Sequence, residues 1–308
     1  MTVELVGAKM LAPIFGTSLY VWAATLGITL FALTAGYYTG GYFSAKSSTS
    51  KSIYLVLLLA GIFTVLMPIT SKFILKTTLE MDVRLGASLS LLVFMMPPLI
   101  FMGMTSPLII RFFTQHADMA GKSAGTVYAI STLGGILSTF LTGFYLLPEL
   151  GIKYTVLISG LTLIIPSTIG LIYHKKYQEL LLLSFILPAG YYNFQSDTSS
   201  DYKILYQKEG VLGQVKIVEH PYITKQNDTV NVRAMLVNNT AQTITNLNKP
   251  GEDLWDYAYY FPAAASIFPK GSKALLCGLG GGTIVRQFKN LAFEIEVVEI
   301  DERIKEAA

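Results

Sequence analysis

The chain has 308 residues, of which 52% are hydrophobic and 14% charged, and a mean hydropathy of +0.50; soluble domains carry about a quarter charged residues, so most of this chain belongs in a membrane. Its formal net charge of +3 supports no nucleic-acid role. A single cysteine, Cys277, excludes a disulfide framework and a thiol metal site, and the three histidines, His116, His174 and His220, lie too far apart to read as a metal site.

In chain order, Met1 to Phe15 comes first. It is too short to cross a bilayer and carries Glu4 and Lys9, and neither a basic n-region nor a small-residue cleavage site marks it as a signal peptide. It reads as the end of a helix or as an interfacial helix. Five runs then match the roughly twenty apolar residues of a spanning helix: Ser18 to Phe43, Ile53 to Thr70, Leu85 to Ile110, Ala124 to Leu147 and Tyr154 to Tyr173. A sixth, Glu179 to Asn193, is shorter, contains Pro188, and either spans obliquely or lies at the interface.

Between Ser18 and Tyr173 every Asp, Glu, Lys and Arg falls in a connection. Ionisable residues inside a bilayer mark proton and ion pathways, so their absence argues against a coupled transporter. The spans carry instead Gly36-x-x-x-Gly40 and the group Gly134, Gly135 and Gly143, small residues that let helix backbones approach. Pro68, Pro97-Pro98 and Pro166 are expected to kink or interrupt their helices. Lys46, Lys51, Arg111, Lys122, Lys175 and Lys176 favour the cytoplasmic side for the connections after the first, third and fifth spans, against Lys72, Lys76, Arg84 and Lys153 in the others. If the sixth run crosses, the C-terminal portion faces outward; if it does not, that portion is cytoplasmic.

At about Asn193 the composition turns polar, and Gln195 to Asp201 reads as a linker. Tyr202 to Gln207, Val211 to Glu219 and Thr229 to Val237 largely alternate apolar and polar residues, with turn signals at Glu209-Gly210 and Gln226-Asn227-Asp228, so they predict a small antiparallel sheet. A helix from about Glu252 to Phe268 leads into Lys273 to Asp301. There an apolar run (Ala274 to Cys277, expected to be buried) enters the glycine cluster Gly278-Leu-Gly280-Gly281-Gly282-Thr283. A helix-compatible stretch (Ile284 to Leu291) and a second apolar run ending in Glu299 and Asp301 follow. This is the order of a nucleotide-binding βαβ unit, in which glycines admit the ligand to the backbone and an acid about twenty residues on accepts hydrogen bonds from ribose hydroxyls. An ordinary turn, with Glu299 merely capping the next helix, is the alternative.

The soluble part resembles spermidine synthases, the polyamine aminopropyltransferases. The resemblance rests on Tyr206-Gln207, on Leu236-Val-Asn-Asn-Thr-Ala-Gln242 where the family has Leu-x-Asp-Gly-x-x-Gln, on the Gly278 to Thr283 loop and on Val298-Glu299-Ile300-Asp301. The membrane part resembles the multi-helix region fused to such domains in some bacterial proteins, through Glu4 to Gly16, Gly103-Met-Thr-Ser-Pro107 and Tyr128 to Gly134. The implied architecture is a multi-helix transmembrane bundle (1–194), a small antiparallel β domain (195–249) and the start of a Rossmann-like, methyltransferase-type α/β domain (250–308). The implied location is the bacterial inner membrane.

The resemblance further implies that decarboxylated S-adenosylmethionine or a related adenosyl nucleoside is the cofactor. Glu299 would hold its ribose, Gly278, Gly280 and Gly282 would make room for it, and Gln207 would reach it from the β domain. Tyr257, Gln242 and Asn238 fall at substrate-binding positions, and no metal is implied. The family's Asp-Gly is Asn238-Asn239 here, and its Tyr-His-Glu is Tyr257-Ala258-Tyr259. The strand that carries the family's catalytic aspartate lies beyond Ala308, so no catalytic residue is assigned, and a second polypeptide or a homo-oligomer partner is expected to complete the domain. The expected protein is thus aminopropyltransferase-like but inactive on its own. A non-catalytic membrane scaffold or partner-binding subunit is the alternative, and a transporter the third choice.

Overall fold

The computed structural model describes residues 1–46, 49–114, 120–185, 202–210, 212–224, 227–238, 240–249 and 251–308. The chain divides into two compact units, Met1–Ser196 and Asp197–Ala308.

The first unit is helical: α1 (Thr2–Phe15), α2 (Leu19–Lys46), α3 (Ser50–Thr78), α4 (Val83–Phe94), α5 (Met96–Phe113), α6 (Ala120–Leu141) and α7 (Gly151–Tyr173). Among the described residues four helical runs are long and apolar enough to cross a membrane, namely Leu19–Lys46, Ser50–Thr78, Met96–Phe113 and the 54-residue Ala120–Tyr173. The helices differ from the five expected runs at two places. The run expected over Leu85 to Ile110 is divided at Met95 into α4 and α5, because Pro97 and Pro98 lack the N–H groups that would continue the ladder. The fourth and fifth runs follow one another without a connecting loop as the single helical stretch Ala120–Tyr173, bent where the two were expected to be separate. Within it Thr142–Leu150 is wound as a π-helix around Pro148, and Gly151 at φ 72° and ψ −178° leaves helical geometry altogether. Of the sixth run, Gln178–Phe185 is a 3₁₀ segment whose Leu180, Leu182 and Leu183 pack against Leu58, Ile62 and Leu171; its remaining residues, 186–193, lie outside the described residues, as does the linker 195–201.

Helix α1 is buried in the core of the first unit and not interfacial. It is apolar on nearly every side, the pattern of a helix that is buried all round, and Val6 and Leu11 sit in the main core with Met67, Leu91, Phe94 and Met95. At the α2–α5 crossing, a Cβ added to Gly40 would lie 2.7 Å from the backbone of Met104, and one added to Gly103 would lie 3.0 Å from the Leu33 carbonyl oxygen. Gly134 and Gly143, in contrast, have nothing within 4 Å of such an atom, and Gly135 has only the side chain of Met1 at 3.6 Å. The first glycine pair is therefore a packing device. The second group packs no backbone: Gly134 and Gly135 lie on α6, none of whose residues is buried, and Gly143 in the following π segment faces open space.

The second unit opens with four antiparallel strands in sequential order, β1 (Lys203–Gly210), β2 (Gly213–Ile223), β3 (Thr229–Val237) and β4 (Thr240–Asn246). Period-two alternation gives the sheet two faces. Val218, Ala234 and Ile244 are cross-strand neighbours on one face, packed against Leu254 and Trp255. Ile217, Met235 and Thr243 are neighbours on the other. Strand β4 is the element that alternation misses, since Thr-Ala-Gln-Thr-Ile-Thr-Asn offers little apolar signal. The helix expected over Glu252 to Phe268 is only α8 (Tyr257–Ala265), because Asp253 bridges Thr245 and the Leu254 N–H donates to the Ile244 carbonyl, extending β4 instead.

The chain then forms β5 (Lys273–Cys277), α9 (Thr283–Asn290), β6 (Glu294–Val298) and α10 (Glu302–Ala307). Strands β5 and β6 pair in parallel, in register from Lys273↔Glu294 to Cys277↔Val298. One face of this two-stranded sheet is open to solvent, leaving Leu275 65% and Val298 60% exposed. Cys277 lies on the same face and is exposed, not buried as expected.

Candidate functional site

The glycine cluster forms the turn between β5 and α9. Gly278, Gly280 and Gly282 have φ of 94°, 54° and 75°, values at which any side chain except glycine's is strained. Gly281 is needed for a different reason, since a Cβ there would lie 2.8 Å from Cβ of Thr243. The Gly281 N–H donates to Thr243 Oγ at 2.9 Å, so β4 supports the turn from below. Gly278 and Gly282 have open space where a side chain would stand.

Glu299 follows β6 and reaches this turn. Its Oε2 accepts the Leu279 N–H at 2.7 Å and its Oε1 accepts the Asp301 N–H at 2.9 Å. A carboxylate offers about four lone-pair positions, so two amides leave acceptor capacity on both oxygens, and Glu299 is only half-buried. The cap of α10 is Asp301, whose side chain accepts the Arg303 N–H. Glu299 is thus held against the glycine turn and is not the capping residue. The guanidinium of Arg303, hydrogen-bonded to Asp301, holds the Asp301 carboxyl below its ordinary range.

The other candidates are not gathered here. Gln207 is exposed on β1 opposite Lys216. Asn238 takes φ 51° after β3, and its side-chain oxygen accepts the Gln214 N–H at 3.0 Å, which commits it to the β2 end of the sheet; Asn239 lies outside the described residues. Gln242 is the extra residue where the β3–β4 register shifts between Met235↔Thr243 and Leu236↔Ala241, and its carbonyl accepts the Tyr257 hydroxyl at 3.0 Å. Partial burial raises the Tyr257 pKa. Where the resemblance expects His-Glu, Ala258 is buried and the Tyr259 hydroxyl is occupied by the backbone N–H and carbonyl of Asp253, both at 3.1 Å.

Two open cavities flank the turn. One, of about 340 Å³, lies between the Met235–Thr243 face of the sheet and Gly281, with Tyr206 and Glu306 on its wall. The other, of about 450 Å³, is lined by Leu279, Gly282, Arg286, Lys289 and Lys305. Glu299 lines neither of them. Among the described residues no group of three or more His, Cys, Asp or Glu residues is placed to hold a metal ion. Sequence reading missed Thr243 and Asp253. Both act through β4, whose polar composition hides it. Comparison of the chain with protein-family models, with curated proteins and with solved structures found no match.

Proposed function

We propose that the chain is a membrane-anchored, spermidine synthase-like protein whose second unit carries a partial Rossmann-like domain for an adenosyl nucleoside, and that on its own it does not transfer aminopropyl groups. The single observation that carries this reading is the Glu299 carboxylate fixed beside the Leu279 N–H of a turn with three left-handed glycines. In this reading Glu299 accepts hydrogen bonds from the ribose hydroxyls, and the open side of the turn at Gly278 and Gly282 receives the adenosyl group, with Gly280 giving the turn its left-handed backbone. Decarboxylated S-adenosylmethionine, when bound, supplies an electrophilic carbon next to its sulfonium; the residues of this chain bind and orient the nucleoside.

Transfer also requires a general base within hydrogen-bond reach of the amine. Of the substrate-binding positions, Asn238 is engaged with Gln214 and the Tyr257 hydroxyl with the Gln242 carbonyl, and the two polar groups that the resemblance expects after Tyr257 are replaced by Ala258, which is buried, and Tyr259, which is engaged with Asp253. This favours a second reading, a membrane subunit that binds the nucleoside or a partner polypeptide without chemistry. The bundle anchors either form in a bilayer, which the resemblance places at the bacterial inner membrane.

The test is incubation of the detergent-purified chain with putrescine and decarboxylated S-adenosylmethionine, with equilibrium dialysis against methylthioadenosine in parallel. The nucleoside is retained and no spermidine forms. Spermidine formation that disappears in Glu299→Ala would make the chain an enzyme and overturn the non-catalytic part of the proposal; failure to retain the nucleoside would remove its basis.

A further inference from the structure

Asp253 is the acid that the nucleoside reading leaves without a task. It is 5% exposed, and its backbone is fixed on both sides. The Tyr259 hydroxyl accepts its N–H and donates to its carbonyl, and it bridges Thr245 at the edge of β4. From this anchored position its carboxylate crosses to the far end of the glycine turn. Oδ1 accepts the hydroxyl of Thr283 at 2.9 Å, and Oδ2 accepts Nη2 of Arg286 at 2.6 Å.

Thr283 is the first residue of α9, and the preceding Gly282 is a left-handed N-cap with no side-chain capping bond. Backbone bonds run from the Gly282 N–H to the Leu279 carbonyl and from the Arg286 N–H to the Gly282 carbonyl, and the side-chain bond at Thr283 comes from outside the helix. Two links thus join the sheet to the turn, Thr243 to Gly281 and Asp253 to Thr283. They come from the same stretch of β4 and its bridge, two positions apart at Thr243 and Thr245. Glycine residues at positive φ have many accessible conformations, so a turn containing three of them does not keep one shape unaided.

We infer that Asp253 is a positioning residue: by holding Thr283 and Arg286 it fixes the glycine turn in the shape in which Glu299 meets the Leu279 N–H, and so sets the affinity of the turn for a nucleoside. The affinity part rests on the function proposed above; the shape part does not. The carboxylate is used as a fixed anion, because a neutral amide in its place keeps an acceptor for Thr283 but turns a donor toward Arg286.

The test uses the full chain in detergent and two readouts. In hydrogen–deuterium exchange, Asp253→Asn and the milder Thr283→Val raise exchange about tenfold or more over residues 278–286 and leave residues 229–237 of β3 protected, whereas Thr283→Ser, which keeps the hydroxyl, behaves as the wild type. Loss of protection equally in both segments, or in neither, overturns the inference. In methylthioadenosine binding, Asp253→Asn and Thr283→Val weaken affinity about tenfold and Thr283→Ser restores it. If the wild type binds, Glu299→Ala does not, and Asp253→Asn binds normally, the positioning role is wrong while the nucleoside reading stands. If the wild type fails to bind, the nucleoside reading falls and the exchange data still decide the role of Asp253.

Discussion

At the scale of residues, two carboxylates that stand close together in the sequence have different tasks. Asp301, whose side chain is 7% exposed, holds Arg303 by both oxygens, at 2.8 Å to Nε and 2.5 Å to Nη2, and Arg303 passes the connection on to the Gly213 carbonyl at 2.8 Å. This pair ties α10 to the start of β2. Its pKa is depressed in the fold by the Arg303 hydrogen bond, against about 3.9 in an unfolded chain. The stabilisation is therefore complete above about pH 5 and is lost as pH falls through the lower folded value. Thermal unfolding followed at Trp255 should show a flat plateau from about pH 5 to 7 and a decline below about pH 4; Asp301→Asn should lower the plateau and flatten the decline. An unchanged decline in that variant would assign the acid sensitivity elsewhere. The pair Lys208–Glu306, about half exposed on both sides, should contribute little in comparison. Glu299 was legible in the sequence because a glycine turn, a strand and an acid have a characteristic spacing. Asp253 was not, because Glu252 to Phe268 reads as one helix until β4 is known to be a strand that Asp253 bridges.

At the scale of elements, small residues meant two different things. Gly36 and Gly40 let α2 lie against the backbone of α5, where a Cβ on Gly36 would come 2.9 Å from Cα of Gly103; Gly134 faces open space on a helix with no buried residue. Gly36→Leu should lower stability by about 1–3 kcal/mol by overpacking, and Gly134→Leu should be neutral or slightly stabilising because leucine favours helix over glycine. Thermal unfolding of the two variants in one detergent checks the contrast, and equal effects would contradict the crossing described here. The same logic applies to β5 and β6. Parallel sheets are normally covered on both faces, yet Leu275 is 65% exposed, so Leu275→Ser should change stability by less than about 0.5 kcal/mol. A loss of several kcal/mol would mean that this face is covered in solution. Apolar run length predicted the helices well, but it could not show that paired prolines divide one run or that two runs join, since both depend on backbone hydrogen bonding and not on hydropathy.

At the scale of the whole molecule, four long apolar helical runs predict that the chain stays with membranes through a carbonate wash and partitions with detergent; recovery in the soluble fraction would contradict that. Membrane association itself was legible from composition, whereas the burial of α1 was not, because a segment too short to cross a bilayer that carries Glu4 and Lys9 reads as interfacial until its neighbours are known. Calorimetry of methylthioadenosine binding to the detergent-purified 308-residue chain tests most directly whether the glycine turn and Glu299 form one ligand site. A carboxylate bound to ribose hydroxyls contributes about 1.5–3 kcal/mol, so Glu299→Ala should weaken binding by roughly tenfold to a hundredfold. Gly280→Ala should weaken it by about tenfold, since alanine is strained by about 1 kcal/mol or more at the observed φ of 54°. Tight binding that neither substitution changes would mean that the glycine stretch is only a structural turn.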